Sequence, residues 1–143
     1  NQITAAQILP NNFTRYLKNG CYLPCIRFDQ EEKASVGDVS TLSLDMVRPS
    51  VLAVASVPQR TSPRWPFYED VIEFDSGNPM FIVINTVPIL LTTWTYGGSG
   101  HGTSVTAHKT DINAMMAQLE SENGCTNGYQ LQEIDLSEFI PAN

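Results

Sequence analysis

Apolar positions are densest in residues 79–102, PMFIVINTVPILLTTWTYGGSGHG. Residues 80–84 form an unbroken apolar run rich in β-branched side chains, with Gly77-Asn78-Pro79 before it. A run of that length predicts a strand buried on both faces rather than a helix. Pro88 offers no ladder donor, so the stretch is divided there and a second strand is expected over 89–96. In that strand Ile89, Leu91, Thr93 and Thr95 fall on one face, and Leu90, Thr92, Trp94 and Tyr96 on the other. Both strands are expected to be central. A glycine-rich turn at 97–100 separates them from a short strand over 103–107.

The remaining pattern is read outward from this core. Thr4-Ala-Ala-Gln7 has the spacing of a capping box, with Pro10 two turns on, so residues 1–20 are expected to form a broken helical segment. Strands are expected over 21–28, bent at Pro24, over 36–46 and over 51–57. Residues 58–66 carry three prolines and predict an extended loop without helix. Residues 70–75 lead through a turn into the core. Ile112, Met115, Met116 and Leu119 recur at helical spacing, with Thr110 or Asp111 to cap the start and Gly124 to close the end, predicting a helix over 110–123. A last strand follows near 129–133, then a tail. The pattern predicts a single mainly β domain over 1–143, antiparallel and sandwich- or barrel-like, with one packed helix in the C-terminal half. An α+β arrangement is the alternative.

Composition narrows the function classes. Hydrophobic residues make up 42% of the 143 and charged residues only 16%, against roughly 25% charged in typical soluble domains. A polar surface with few charges leans towards a virion or extracellular setting. The formal net charge is −7, which argues against direct nucleic-acid binding. The charge is also divided: residues 1–65 carry a net +2 and residues 66–143 a net −9. No apolar stretch approaches the ~20 residues of a membrane-spanning helix. Cys21, Cys25 and Cys125 make an odd count, and three separate buried thiols are expected. The first residue is Asn1 rather than Met, from which a processed or trimmed chain is expected.

Residues 101–107, His-Gly-Thr-Ser-Val-Thr-Ala, resemble the histidine motif of subtilisin-like serine proteases, and Asp75-Ser76-Gly77 resembles that family's aspartate motif. The resemblance covers about ten residues. It implies that Asp75 orients His101, which in turn activates a serine nucleophile. The only Gly-Thr-Ser is 102–104, so Ser104 would have to come from the histidine motif itself. His101, Asp75 and Ser104 are therefore candidate residues, and no assembled catalytic set is expected. His101, His108 and Asp111 lack a metal-binding pattern such as His-Glu-x-x-His, so neither a metal nor a cofactor is expected.

Three functions follow from these residues. The leading one is a non-enzymatic structural or interaction protein in a multi-subunit assembly, for example a virus-particle or extracellular structural component. It would engage copies of itself or other subunits. The tail at 134–143 would serve as a docking segment through Ile134, Leu136, Phe139 and Ile140, whose acidic neighbours favour basic positions such as Arg15 and Arg48. The second is a small hydrolase using His101 with a serine or cysteine nucleophile. The third is a ligand- or glycan-binding module that stacks its ligand on Trp65, Phe67, Trp94 and Tyr96.

Overall fold

The core run folds as a hairpin, β5 (Pro79–Ile84) and β6 (Val87–Tyr96), in a computed structural model. The structure describes residues 3–16, 22–28, 34–40, 51–53, 60–68, 77–96 and 101–141. The hairpin turn is Asn85-Thr86 rather than Pro88. Both turn residues have positive φ, 51° and 67°, the signature of the two-residue turn whose twist matches that of the strands it joins. Pro88 sits inside β6, opposite Val83, and is exposed.

The other strands are β1 (Ile3–Ile8), β2 (Tyr22–Phe28), β3 (Ala34–Ser40), β4 (Val51–Ala53), β7 (His101–Ser104) and β8 (Tyr129–Glu133). With the hairpin they make one sheet in the order β3-β2-β5-β6-β1-β8. β7 adds to the far half of β6, and β4 pairs with β7. Among the described residues the fold is mostly β with one helix, as expected, but the sheet is mixed. β1 runs parallel to both β6 and β8, whereas the other pairings are antiparallel.

The first part of the expected broken helical segment is replaced by β1, while its second part is a 3-10 turn at Phe13–Tyr16. The capping-box spacing is overridden because β1 fills the slot between β6 and β8. Its backbone gains ladder partners there, and Ile8 becomes fully buried. Tertiary context of this kind outweighs local helix propensity. Trp65–Phe67 forms a 3-10 turn, with a proline at its start, where an extended loop was expected. The strand expected at 103–107 ends at Ser104 and gives way to a turn. The strands expected over 36–46 and 51–57 are observed as β3 and β4, with 41–50 and 54–59 outside the described residues.

The helix α1 spans Lys109–Glu122, with His108 at its N-cap and no side-chain cap, so neither Thr110 nor Asp111 plays that part. Its end follows the expectation closely. Gly124 has φ +68°, its N–H donates to Ser121 O, and the Cys125 N–H donates to Glu120 O at 2.8 Å. This pair of bonds closes the last turn through a left-handed residue.

The sheet is packed on both faces. Strand neighbours alternate between faces, and consecutive residues divide accordingly between two apolar clusters. Leu9 and Ile89 join Cys25, Met80, Ile82 and Leu91 on one face, with Phe13 and Ile134 against them. Ile8 and Leu90 join Val105 and Leu131 on the other, beneath Ile112 and Met116 of α1. Burying each such side chain stabilises by roughly 1.5–3 kcal/mol. A register shift between β5 and β6 leaves Leu91 as an extra residue, since Met80 pairs Thr92 while Phe81 pairs Leu90. Both residues at this bulge, Leu91 and Thr92, are buried, which breaks the alternation expected over 89–96.

Candidate interaction surface

Residues 80–84 were expected to be buried on both faces, and only one face is. Met80 and Ile82 are buried, while Phe81 is half-buried and Val83 is 51% exposed. Phe81 pairs with Ile26 on β2 and Leu90 on β6, so its side lies on the face of the sheet that carries α1. Among the described residues α1 packs on the Ile8, Leu131 and Leu90 part of that face, not over Phe81. Over β2, β5 and β6 an apolar groove of about 490 Å³ is lined by Ile26, Phe28, Pro79, Phe81 and Pro88. Phe28 and Phe81 meet edge to face, with ring centroids 6.1 Å apart at 89°, a preferred aromatic geometry.

The helix adds apolar surface of its own. Met115 and Leu119 are 62% and 56% exposed, although their spacing predicted core packing. Asn113 and Glu120 bond to β8, which sets the rotation of α1. At ~3.6 residues per turn, Met115 and Leu119 then lie on the flank away from β8.

The tail is divided between two environments. Ile134 packs against the cluster of Met80 and Ile89, and Leu136 is buried. The Ile134 N–H donates to Ile8 O at 2.9 Å, and the Asn85 side chain donates to Glu138 at 2.6 Å. Phe139 is exposed and Ile140 is 91% exposed. Of the four apolar tail residues expected at an interface, Ile134 and Leu136 are thus spent within the chain, and Phe139 and Ile140 remain on its surface. Arg15 is exposed on the first 3-10 turn, and Arg48 lies outside the described residues.

Of the catalytic candidates, only Ser104 has a described side chain. Ser104 is buried at the end of β7, and its Oγ accepts a hydrogen bond from the Ala107 N–H at 3.2 Å. His101 begins the same strand, and its backbone pairs with Ala53 and Tyr96. Asp75 lies outside the described residues. Among those described, no three His, Cys, Asp or Glu side chains converge as a metal site would require. Cys25 is buried, as expected, whereas Cys125 is an exposed free thiol; Cys21 lies outside the described residues.

The aromatic candidates fall on separate elements. Trp65 and Phe67 share one 3-10 turn, and the rings of Trp65 and Tyr68 stack at 6.0 Å and 17°. The Arg60 guanidinium stands 5.6 Å from the Trp65 ring centre. Trp94 and Tyr96 lie at the far end of β6, paired through the backbone with Gly102 and His101.

In the sequence the groove residues read as strand and strand-break positions rather than as a surface. Their signal was present in the run at 80–84, because a strand apolar on both faces needs a cover on each. Among the described residues no helix is long and apolar enough to cross a membrane. No known protein family, curated protein or solved structure matches the chain.

Proposed function

We propose that this chain is a non-enzymatic structural subunit of a multi-subunit assembly, such as a virus particle or an extracellular structure. The observation that carries the reading is the apolar strip over β2, β5 and β6, in which Phe28, Phe81, Val83 and Pro88 stand beside a covered part of the same face. Contiguous exposed apolar surface marks sites of association, and covering it recovers about 25 cal/mol per Å². In this reading a second copy supplies the missing layer, so that the sandwich anticipated from the strand pattern is completed between subunits. Phe139 and Ile140 extend the apolar surface available to such contacts. The hydrolase reading draws no support from Ser104, whose Oγ is engaged in a turn. Ligand stacking draws none from Trp65, which already has Arg60 and Tyr68 against it.

Sedimentation over a concentration range tests the proposal, comparing the natural chain with Val83→Glu and Phe28→Glu. The natural chain is expected to exceed the monomer mass. Both variants should run as monomers with unchanged circular dichroism. A natural chain that stays monomeric at every concentration overturns self-association through this face, as do variants that associate like the parent.

A further inference from the structure

A second feature is independent of the outer face. Among the described residues β8 pairs along one side only, with β1. Gly128 O accepts from the Ile3 N–H, and the Ile134 N–H donates to Ile8 O. Even-numbered positions of β8 therefore face β1, and the odd-numbered N–H groups point away from the sheet. Such outward donors on an edge strand are a template for an added strand.

Here they are occupied. The Tyr129 N–H donates to Glu120 Oε1 at 2.9 Å, and the Leu131 N–H donates to Asn113 Oδ1 at 2.8 Å. Glu120 Oε2 also accepts from the Gly128 N–H at 2.9 Å. At the far end Lys109 Nζ lies 3.8 Å from Glu133. The helix thus runs antiparallel along the edge, Lys109 by Glu133, Asn113 by Leu131 and Glu120 by Tyr129. The strand itself, Tyr-Gln-Leu-Gln-Glu, contains neither the proline nor the lysine that commonly guards an edge.

We propose that α1 is a latch on a latent strand-accepting edge. Asn113 and Glu120 hold the β8 donors that an incoming strand would use, and withdrawing them lets β8 pair with β8 of a second copy. Antiparallel pairing of one strand with itself about a two-fold axis is self-complementary. Centred on Leu131, it places Glu133 opposite Tyr129 and Gln130 opposite Gln132, so no like charges meet.

The test uses the full chain carrying Val83→Glu, so that the outer face does not contribute. Amide hydrogen exchange is read at Tyr129 and Leu131, and mass by sedimentation. In this parent both amides should be protected in a monomer. Asn113→Asp, which keeps an acceptor oxygen for the Leu131 N–H and leaves Glu120 in place, should behave as the parent. Asn113→Ala with Glu120→Ala should expose both amides at low concentration and form a dimer at high concentration, with protection restored. If the double alanine variant loses its folded circular dichroism, Glu120→Ala alone is read instead, with exposure of Tyr129 and weaker dimerisation expected. Amides unprotected in the parent, or an alanine variant that stays monomeric at every concentration, overturn the proposal. Failure here leaves the outer-face reading untouched, since that rests on Val83 and Phe28.

Discussion

Glu138 accepts a 2.6 Å hydrogen bond from the Asn85 side chain, tying the C-terminal tail to the β5–β6 turn. Between that bond and the end of β8, Ile134 and Leu136 pack into the chain. Beyond it, Phe139 and Ile140 face solvent. Residue 138 marks where the tail changes from core element to surface.

Substitutions along the tail should follow that boundary. Leu136→Ala is expected to destabilise by about 2–4 kcal/mol, the range for truncating a buried leucine. Ile140→Ala should change stability by less than about 0.5 kcal/mol. Urea denaturation of both variants checks this, and equal losses would refute the boundary.

The hairpin turn offers a gain. A β-branched residue at positive φ is strained, and Thr86 has φ 67°. Glycine adopts this conformation freely and is favoured at the second position of such turns. Thr86→Gly should therefore stabilise by about 0.5–1 kcal/mol, the difference between relieved strain and added chain entropy. A lowered melting temperature would show that the threonine side chain matters more than its backbone.

Gly124 is the opposite case. A Cβ placed there meets nothing within 4 Å, but φ is +68°. Gly124→Ala should cost about 1 kcal/mol through the backbone alone, while Gly124→Asn, which tolerates the left-handed region, should cost less. Thermal melts of the two variants give the comparison, and equal costs would point to a packing cause.

His101→Ala is expected to leave fold and association unchanged. Thr106→Val should cost about 1–2 kcal/mol, because the buried Thr106 hydroxyl donates to Leu9 O at 2.8 Å and its loss strands that carbonyl. Circular dichroism and sedimentation of His101→Ala, beside a urea titration of Thr106→Val, separate the two.

Acid should loosen the start of the tail. The Ser137 backbone N–H, then its hydroxyl, bonds the Asp135 carboxylate and holds its pKa below the ordinary 3.8. A depressed carboxyl contributes stability in full above its unfolded value and loses it as pH falls through the lower folded value. The Ser137 amide resonance should therefore titrate at a pH below 3.8, and Asp135→Asn should abolish that transition. An Asp135 midpoint at or above the ordinary value would contradict the turn.

The elements legible in the chain are those whose signals lie within their own span. Helix α1 shows itself in the recurrence of Ile112 and Met116 and in Gly124 beyond its end, and β8 in its own alternation. The apolar composition of 80–96 predicts paired strands wherever the turn falls. What tertiary structure decided depends on partners distant in sequence. Residues 3–8 became a strand because a slot between β6 and β8 satisfies their backbone and buries Ile8, which no local spacing reveals. The Leu91 bulge and the Asn85-Thr86 turn belong to the register of two strands together. Phe81 and Val83 are apolar in the sequence whether or not anything covers them. Among the described residues it was the packing of α1, 14 residues long, over Ile8 and Leu131 rather than over Phe81 and Val83 that decided which of these apolar side chains it covers.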